Sequence, residues 1–276
     1  MIQQERDKKI YSLAKEFILG RNIPDVDETI LAKYFQPTTP RTQGTSIAEI
    51  YLRMLESAQN ANMKAGVVGG AIGGVIKLGP TLCDFDPVGV LKRYTTWESV
   101  FDQIKAEVKP RGKMLRTNRS IWPKYCQTIL SAATFLDQFA SVGDFYNWLD
   151  VFEKDYRSRA ALPLLLSQEI SGYGYALACD FLKEIGYVNF GKPDVHIREI
   201  FVALELCPES ANDYHLLKAV VRVANNSGVT PYNADKLFWL VGSGYFYLDP
   251  HIGNNGRTGS CKREFIRHVK STLGRV

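Results

Sequence analysis

Two short stretches of this 276-residue chain carry residue types and spacings that could do chemistry. The first is Ser171-Gly172-Tyr173-Gly174, set between an apolar run ending at Ile170 and another beginning near Tyr175. Two glycines around one larger residue let the backbone turn through positive φ and bring bare N–H groups to the surface. Those amides fall at the start of the second run, where a helix dipole and its unpaired donors favour a phosphate. Taken alone, the pattern also fits an ordinary αα-turn with glycine caps. The second stretch is Lys192-Pro193-Asp194-Val195-His196, with Asp194 placed 20 residues after Gly174. It reads as a loop that introduces a helix, with Asp194 at or near the N-cap. A helix start keeps a carboxylate ionised through the dipole and backbone hydrogen bonds. Such a group can stabilise developing positive charge, or orient and deprotonate a water. A plain N-cap without chemistry is the other reading of Asp194.

Other chemistries find less support. Lys64 to Gly79 holds six glycines but lacks the Gly-Lys-Ser/Thr ending of a phosphate-cradling loop, and no convincing strand precedes it. Close helix packing, or a loop approaching a ligand or a DNA backbone, fits those glycines better than a nucleotide site. His196, His215, His251 and His268 have no His or Cys partner at helical ligand spacing, so no metal is expected. The five cysteines (Cys83, Cys126, Cys179, Cys207, Cys261) are scattered, which suits reduced thiols better than a disulfide framework, a zinc site or an iron–sulfur cluster. No Gly-x-Ser-x-Gly elbow supports a Ser–His–Asp hydrolase.

The elements that must position these groups are helices. Apolar residues recur at helical period at Ile10, Leu13, Phe17 and Ile18, and at Ile47, Ile50, Tyr51, Met54 and Leu55. Further helices are expected over 97–108, 122–139, 145–152, 162–170, 175–185, 196–204, 214–225, 234–242 and 263–273. Alternating strand patterns with hairpin turns are scarce, so an all-α fold is predicted. The N-terminal residues are charged where a signal peptide would be apolar, and no window approaches the ~20 apolar residues of a membrane span. A soluble, intracellular protein is expected. Its charge of +5 is unevenly placed. Residues 101–124 hold Lys105, Lys109, Arg111, Lys113, Arg116, Arg119 and Lys124 against Asp102 and Glu107. The stretch from Arg257 to Val276 holds Arg257, Lys262, Arg263, Arg267, Lys270 and Arg275 against Glu264 alone. Each segment has a surplus of five, and the remainder of the chain is a net minus five.

Ile170-Ser-Gly-Tyr-Gly174, a helix, and then Pro193-Asp-Val-His-Ile-Arg198 together resemble the helix-hairpin-helix DNA glycosylase superfamily. There the hairpin reads close to Leu-Pro-Gly-x-Gly and the catalytic loop close to Val-Asp-x-His-Val-x-Arg. The resemblance is strong over about forty residues, and outside them it holds only in outline. It implies a two-lobed helical fold with a DNA cleft between the lobes, acting on double-stranded DNA that carries a damaged or modified base. Residues 1–100 would pack with the C-terminal helices, 101–193 would form a middle lobe with the hairpin at about 162–186, and 194–276 would hold the catalytic loop and the C-terminal helices. By the same resemblance, Gly172, Tyr173, Gly174 and Tyr175 present the hairpin to a DNA phosphate, Asp194 is the catalytic acid, and His196 structures its loop. Arg198 falls one place early, so no role passes to it. Ser171 stands where the family commonly has Pro.

Bifunctional members carry a lysine two residues after the last hairpin glycine, and Ala176 stands here instead. A monofunctional enzyme that leaves an abasic site is therefore expected, without cofactor and as a monomer. Arg111, Lys113, Arg116 and Arg119 could line the DNA face. Trp122, Tyr173, Tyr175, Trp239 and Tyr245 could wall a base pocket. A non-catalytic helix-hairpin-helix module that grips DNA is the alternative.

Overall fold

The computed structural model describes residues 2–24, 26–36, 46–60, 65–117, 119–244 and 259–274. These residues form fourteen α-helices, and no strand occurs among them. The helices are α1 (Gln3–Leu19), α2 (Glu28–Tyr34), α3 (Ile47–Ala58), α4 (Ala65–Ile72), α5 (Pro87–Arg93), α6 (Trp97–Glu107) and α7 (Ile121–Leu136). They continue as α8 (Val142–Lys154), α9 (Ala161–Glu169), α10 (Tyr175–Glu184), α11 (Val195–Ala203), α12 (Asp213–Ser227), α13 (Pro231–Ser243) and α14 (Lys262–Leu273). Most starts carry a short polar cap. Ser46, Thr96 and Ser141 each accept the amide three residues on, as do Asn212 and Thr230. Each such cap holds about 1 kcal/mol by satisfying one orphan donor of the first turn.

Two compact units are formed, one by Met1–Thr39 with Gly186–Val276 and the other by Pro40–Ile185. In the first, α1 lies on α12, while α13 packs against α11, α12, α1 and α14. Ile10, Leu13, Ala14 and Ile18 of α1 meet Leu216, Val220 and Val223 of α12 and Leu237, Phe238 and Val241 of α13 in one apolar core. One charged group is sunk into it. The fully buried Asp7 carboxylate accepts Arg222 Nε at 2.8 Å, Asn226 Nδ2 at 2.7 Å and Gln3 Nε2 at 2.8 Å. Three donors offset the desolvation that an isolated carboxylate would suffer there, and they join the start of α1 to the last turns of α12.

In the second unit, α7 is flanked by α3, α5 and α6, and α10 packs on α3 and α9. Buried tyrosines tie these helices at their polar tips. Tyr51 of α3 donates to Ile129 O on α7 at 2.6 Å, and Tyr125 of α7 donates back to Leu55 O on α3 at 3.2 Å. Ser57 of α3 donates to Leu177 O on α10 at 3.1 Å, so α3 is fastened to both neighbours. Burial holds both phenols well above their usual range, and they act as fixed neutral donors.

The glycine-rich stretch is a helix and a turn. After α4, Gly73 and Gly74 take φ of 76° and 105° and lead into a 3-10 turn at Val75–Leu78. The five cysteines are free thiols, and burial pushes Cys126, Cys207 and Cys261 up, which keeps them protonated and unreactive. No helix among the described residues is long and apolar enough to cross a membrane, and no group of three His, Cys, Asp or Glu gathers there to hold a metal.

Candidate functional site

In the second unit, α9 ends at Ile170 and α10 begins at Tyr175, with Ser171–Gly174 between them. Gly172 has φ +78°, and a methyl group on it would meet Lys124 Cγ at 2.8 Å and Thr128 Oγ1 at 2.9 Å. Both backbone shape and packing therefore demand glycine. The turn is held from one side by α7. Thr128 Oγ1 donates to Ser171 O at 2.7 Å, and the Ser171 N–H donates to Ser131 Oγ at 2.9 Å. Within the turn, the Tyr173 N–H closes on Ile170 O at 3.1 Å. The amides of Gly172, Gly174 and Ala176 donate to no acceptor among the described residues. They open at the first turn of α10, where the dipole adds its favour to an anion.

Gly174 is the informative one. Its φ is −72°, and no atom lies within 4 Å of where a methyl group would stand. Neither strain nor packing inside the protein requires glycine there. We expect Gly174→Ala to raise the duplex Kd about tenfold, a change of ~1.4 kcal/mol, while costing the helix only ~1 kcal/mol as a cap. Fluorescence anisotropy against an unmodified duplex reads this. An unchanged Kd would remove the phosphate from the hairpin.

The side chains of Tyr173 and Tyr175 are core. Tyr173 is fully buried against Phe181 with its hydroxyl beside Ser57, and Tyr175 donates to Ala160 O at 2.7 Å. What these residues can offer a ligand is main chain. Trp122 is likewise buried, at 2% exposure. Tyr245, named with them as a pocket wall, and Lys64, His251, Arg257 and Arg275 lie outside the described residues.

The four cations named for the DNA face divide into two kinds. Arg111 donates from its guanidinium to Gly70 O at 2.7 Å and from its backbone to Ala71 O at 2.9 Å, so it closes the C-terminal end of α4. Arg116 pairs with Asp102 and lies over the Phe101 ring at 5.2 Å. Lys113 and Arg119 are exposed and have no ion-pair partner among the described residues. The sequence reading passed over Lys124, whose exposed side chain runs directly beside Gly172. Its signal was present. Lys124, Thr128 and Ser131 repeat at i, i+4 and i+7, a polar stripe on an otherwise apolar helix.

In the first unit, Asp194 is the N-cap of α11. Its Oδ1 accepts the amides of His196 at 2.9 Å and Ile197 at 3.1 Å. Oδ2 accepts no hydrogen bond from the described residues. One oxygen is thereby fixed and the other left available at a partly exposed position. The segment around it is clamped by α12 and α13 on both sides of Asp194. Before Asp194, the Tyr232 amide donates to Val188 O at 3.0 Å, and a methyl group on Gly191 would stand 2.8 Å from Val220 Cγ1 and 3.1 Å from Asp235 Cβ. After Asp194, a methyl group on Gly242 would stand 2.5 Å from His196 Cβ. His196 also meets Trp239 edge-on, with centroids 6.4 Å apart. Arg198 turns away from this site to Asp213 Oδ1 at 2.8 Å and to Ala211 O. Lys183, two turns beyond Ala176 along α10, is buried with Asp180 Oδ1 at 3.9 Å.

The sequence matches no family model and no curated protein. Solved structures do match the fold. The 8-oxoguanine glycosylase/lyase of Methanocaldococcus jannaschii, in complex with a 15mer DNA containing 8-oxoguanine, is 17% identical with TM-score 0.51 over 83% of this chain and 96% of that one. The 8-oxoguanine DNA glycosylase of Thermotoga maritima is 16% identical with TM-score 0.52 over 84% of this chain and 96% of that one. The chain shares the overall fold of these two structures, and its described residues are helical throughout with no strand.

Proposed function

We propose that this protein is a monofunctional DNA glycosylase, which hydrolyses the bond between a damaged or modified base and its deoxyribose and leaves an abasic site. The observation that carries the reading is Asp194, held by one oxygen at a helix start while the other accepts no hydrogen bond from the described residues. The glycine hairpin with open amides adds the means to hold a phosphate, and the shared fold supports both.

The target base leaves the stack at a cost of a few kcal/mol, which phosphate contacts by the hairpin help to offset. As the bond between C1′ and the base nitrogen lengthens, positive charge grows on the sugar. The Asp194 carboxylate stabilises that charge. Water adds its oxygen to C1′ and its proton passes to Asp194, while the base leaves with the bonding electron pair and takes up a proton from solvent. No amine stands at Ala176 to attack C1′ in place of water, so the strand is left intact.

The test is base release from duplexes each carrying one modified base, with strand integrity scored before and after alkali. An 8-oxoguanine duplex belongs first in the panel, because the M. jannaschii and T. maritima proteins are named for that base. Alkylated, deaminated and hypermodified bases follow. Base loss with breaks only after alkali is expected. Breaks without alkali would restore a lyase. Salt-sensitive duplex binding with no release from any member would leave a helix-hairpin-helix module that only grips DNA.

A further inference from the structure

We propose that the outward face of α14 is a second phosphate-binding surface for duplex DNA, independent of sequence and formed by Arg263, Arg267 and Lys270. As regards its partner, the inference rests on the DNA reading above. The three residues repeat at i, i+4 and i+7, are all exposed, and have no ion-pair partner among the described residues. Two carboxylates beside this helix are engaged with other cations. Glu264 takes Arg21 at 2.9 Å, and Glu199 of α11 takes Lys262.

A solvated helix face ordinarily mixes its charges, because like charges at i, i+4 cost ~0.2–0.5 kcal/mol per pair. Arg263 adds a further cost, since it lies in the first turn, where the dipole disfavours a cation. An anionic partner would relieve both. The chemistry of the face narrows what that partner is. The apolar side of α14 is spent on the core, with Phe265 and Val269 fully buried, so nothing remains to insert into a lipid layer. Between Arg263 and Lys270 the outer side carries no Phe, Tyr or Trp, and the His268 ring is taken up against Phe17 with centroids 6.0 Å apart, which leaves no free platform for a run of stacked bases. What remains is a row of cations ~10 Å long at 1.5 Å per residue. Duplex DNA carries one phosphate charge per ~1.7 Å of its axis with both strands counted, so phosphates fall within reach of all three side chains.

The experiment is duplex affinity across a salt series for the wild type and for Arg263→Gln/Arg267→Gln/Lys270→Gln. Three lost phosphate contacts should flatten the slope of log K against log salt by about 2 to 3. Release of the base under saturating DNA should be unchanged. Charge-keeping Arg263→Lys/Arg267→Lys should retain the wild-type slope. An unaltered slope in the triple variant overturns the surface, as does a loss seen only in binding to anionic phosphatidylserine vesicles. A wild type that binds with the full slope but releases no base would defeat the glycosylase reading and leave this surface standing.

Discussion

Replacing Asp194 by Asn is expected to slow single-turnover base release about 10³-fold, equivalent to ~4 kcal/mol of lost transition-state stabilisation. Duplex affinity and the thermal midpoint should hardly move. Asn retains an oxygen that can accept the His196 and Ile197 amides, and it caps helices about as well as Asp. Only the negative charge is withdrawn from the oxygen that has no partner among the described residues. The comparison therefore isolates charge from scaffold. Release within tenfold of wild type would make Asp194 a cap and nothing more.

Gly242→Ala should lower the same rate about 10²-fold, through displacement rather than chemistry. The added methyl group would stand 2.5 Å from His196 Cβ, an atom fixed to the backbone that cannot rotate away. The first turn of α11 must shift, and Asp194 with it. A misplacement of about 1 Å at a reacting group can cost 10²-fold in rate. Overpacking of this kind also costs ~1–3 kcal/mol of stability, so the assay belongs well below the thermal midpoint. The distinguishing measurement is the double variant. If Gly242 acts through Asp194, adding Gly242→Ala to Asp194→Asn should bring little further loss. A full second 10²-fold loss would mean that Gly242 merely supports the fold.

Much of this arrangement was legible in the residues. The period of apolar positions marked the long helices, and Asp194 was placed at its cap by the Pro before it and the helical period after it. The short helices α2 and α5 escaped, because seven residues complete fewer than two turns and give no period to read. The turn at Cys83–Phe85 escaped for a different reason. Cys83, Asp84 and Phe85 all take positive φ, between 52° and 64°, and no glycine announces it. Tertiary contacts hold it instead, among them the Asp84 amide on Gly79 O at 2.7 Å and the burial of Phe85. The contacts of Arg111 with the carbonyls of α4 escaped as well, because charge can be counted in a sequence whereas such partners cannot. The same holds for Gly191 and Gly242. Their need for a missing side chain is set by His196, Val220 and Asp235, which are distant in the chain or carry no sign of proximity.

The division of the chain has a consequence for how the protein is made. The unit Pro40–Ile185 is continuous, and all its helices have been synthesised before α11 appears. Helix α1 is made before that unit, yet its partners α12 and α13 begin only at Asp213 and Pro231. At ~5–20 residues per second, the apolar stripe of α1 waits about 10 s or more on the ribosome before it can be covered. During that interval Ile10, Leu13, Ala14 and Ile18 are a nascent-chain signal for holding factors, and the buried Asp7 has no Arg222 to meet it. Translation speed over the second half of the chain thus bears on yield.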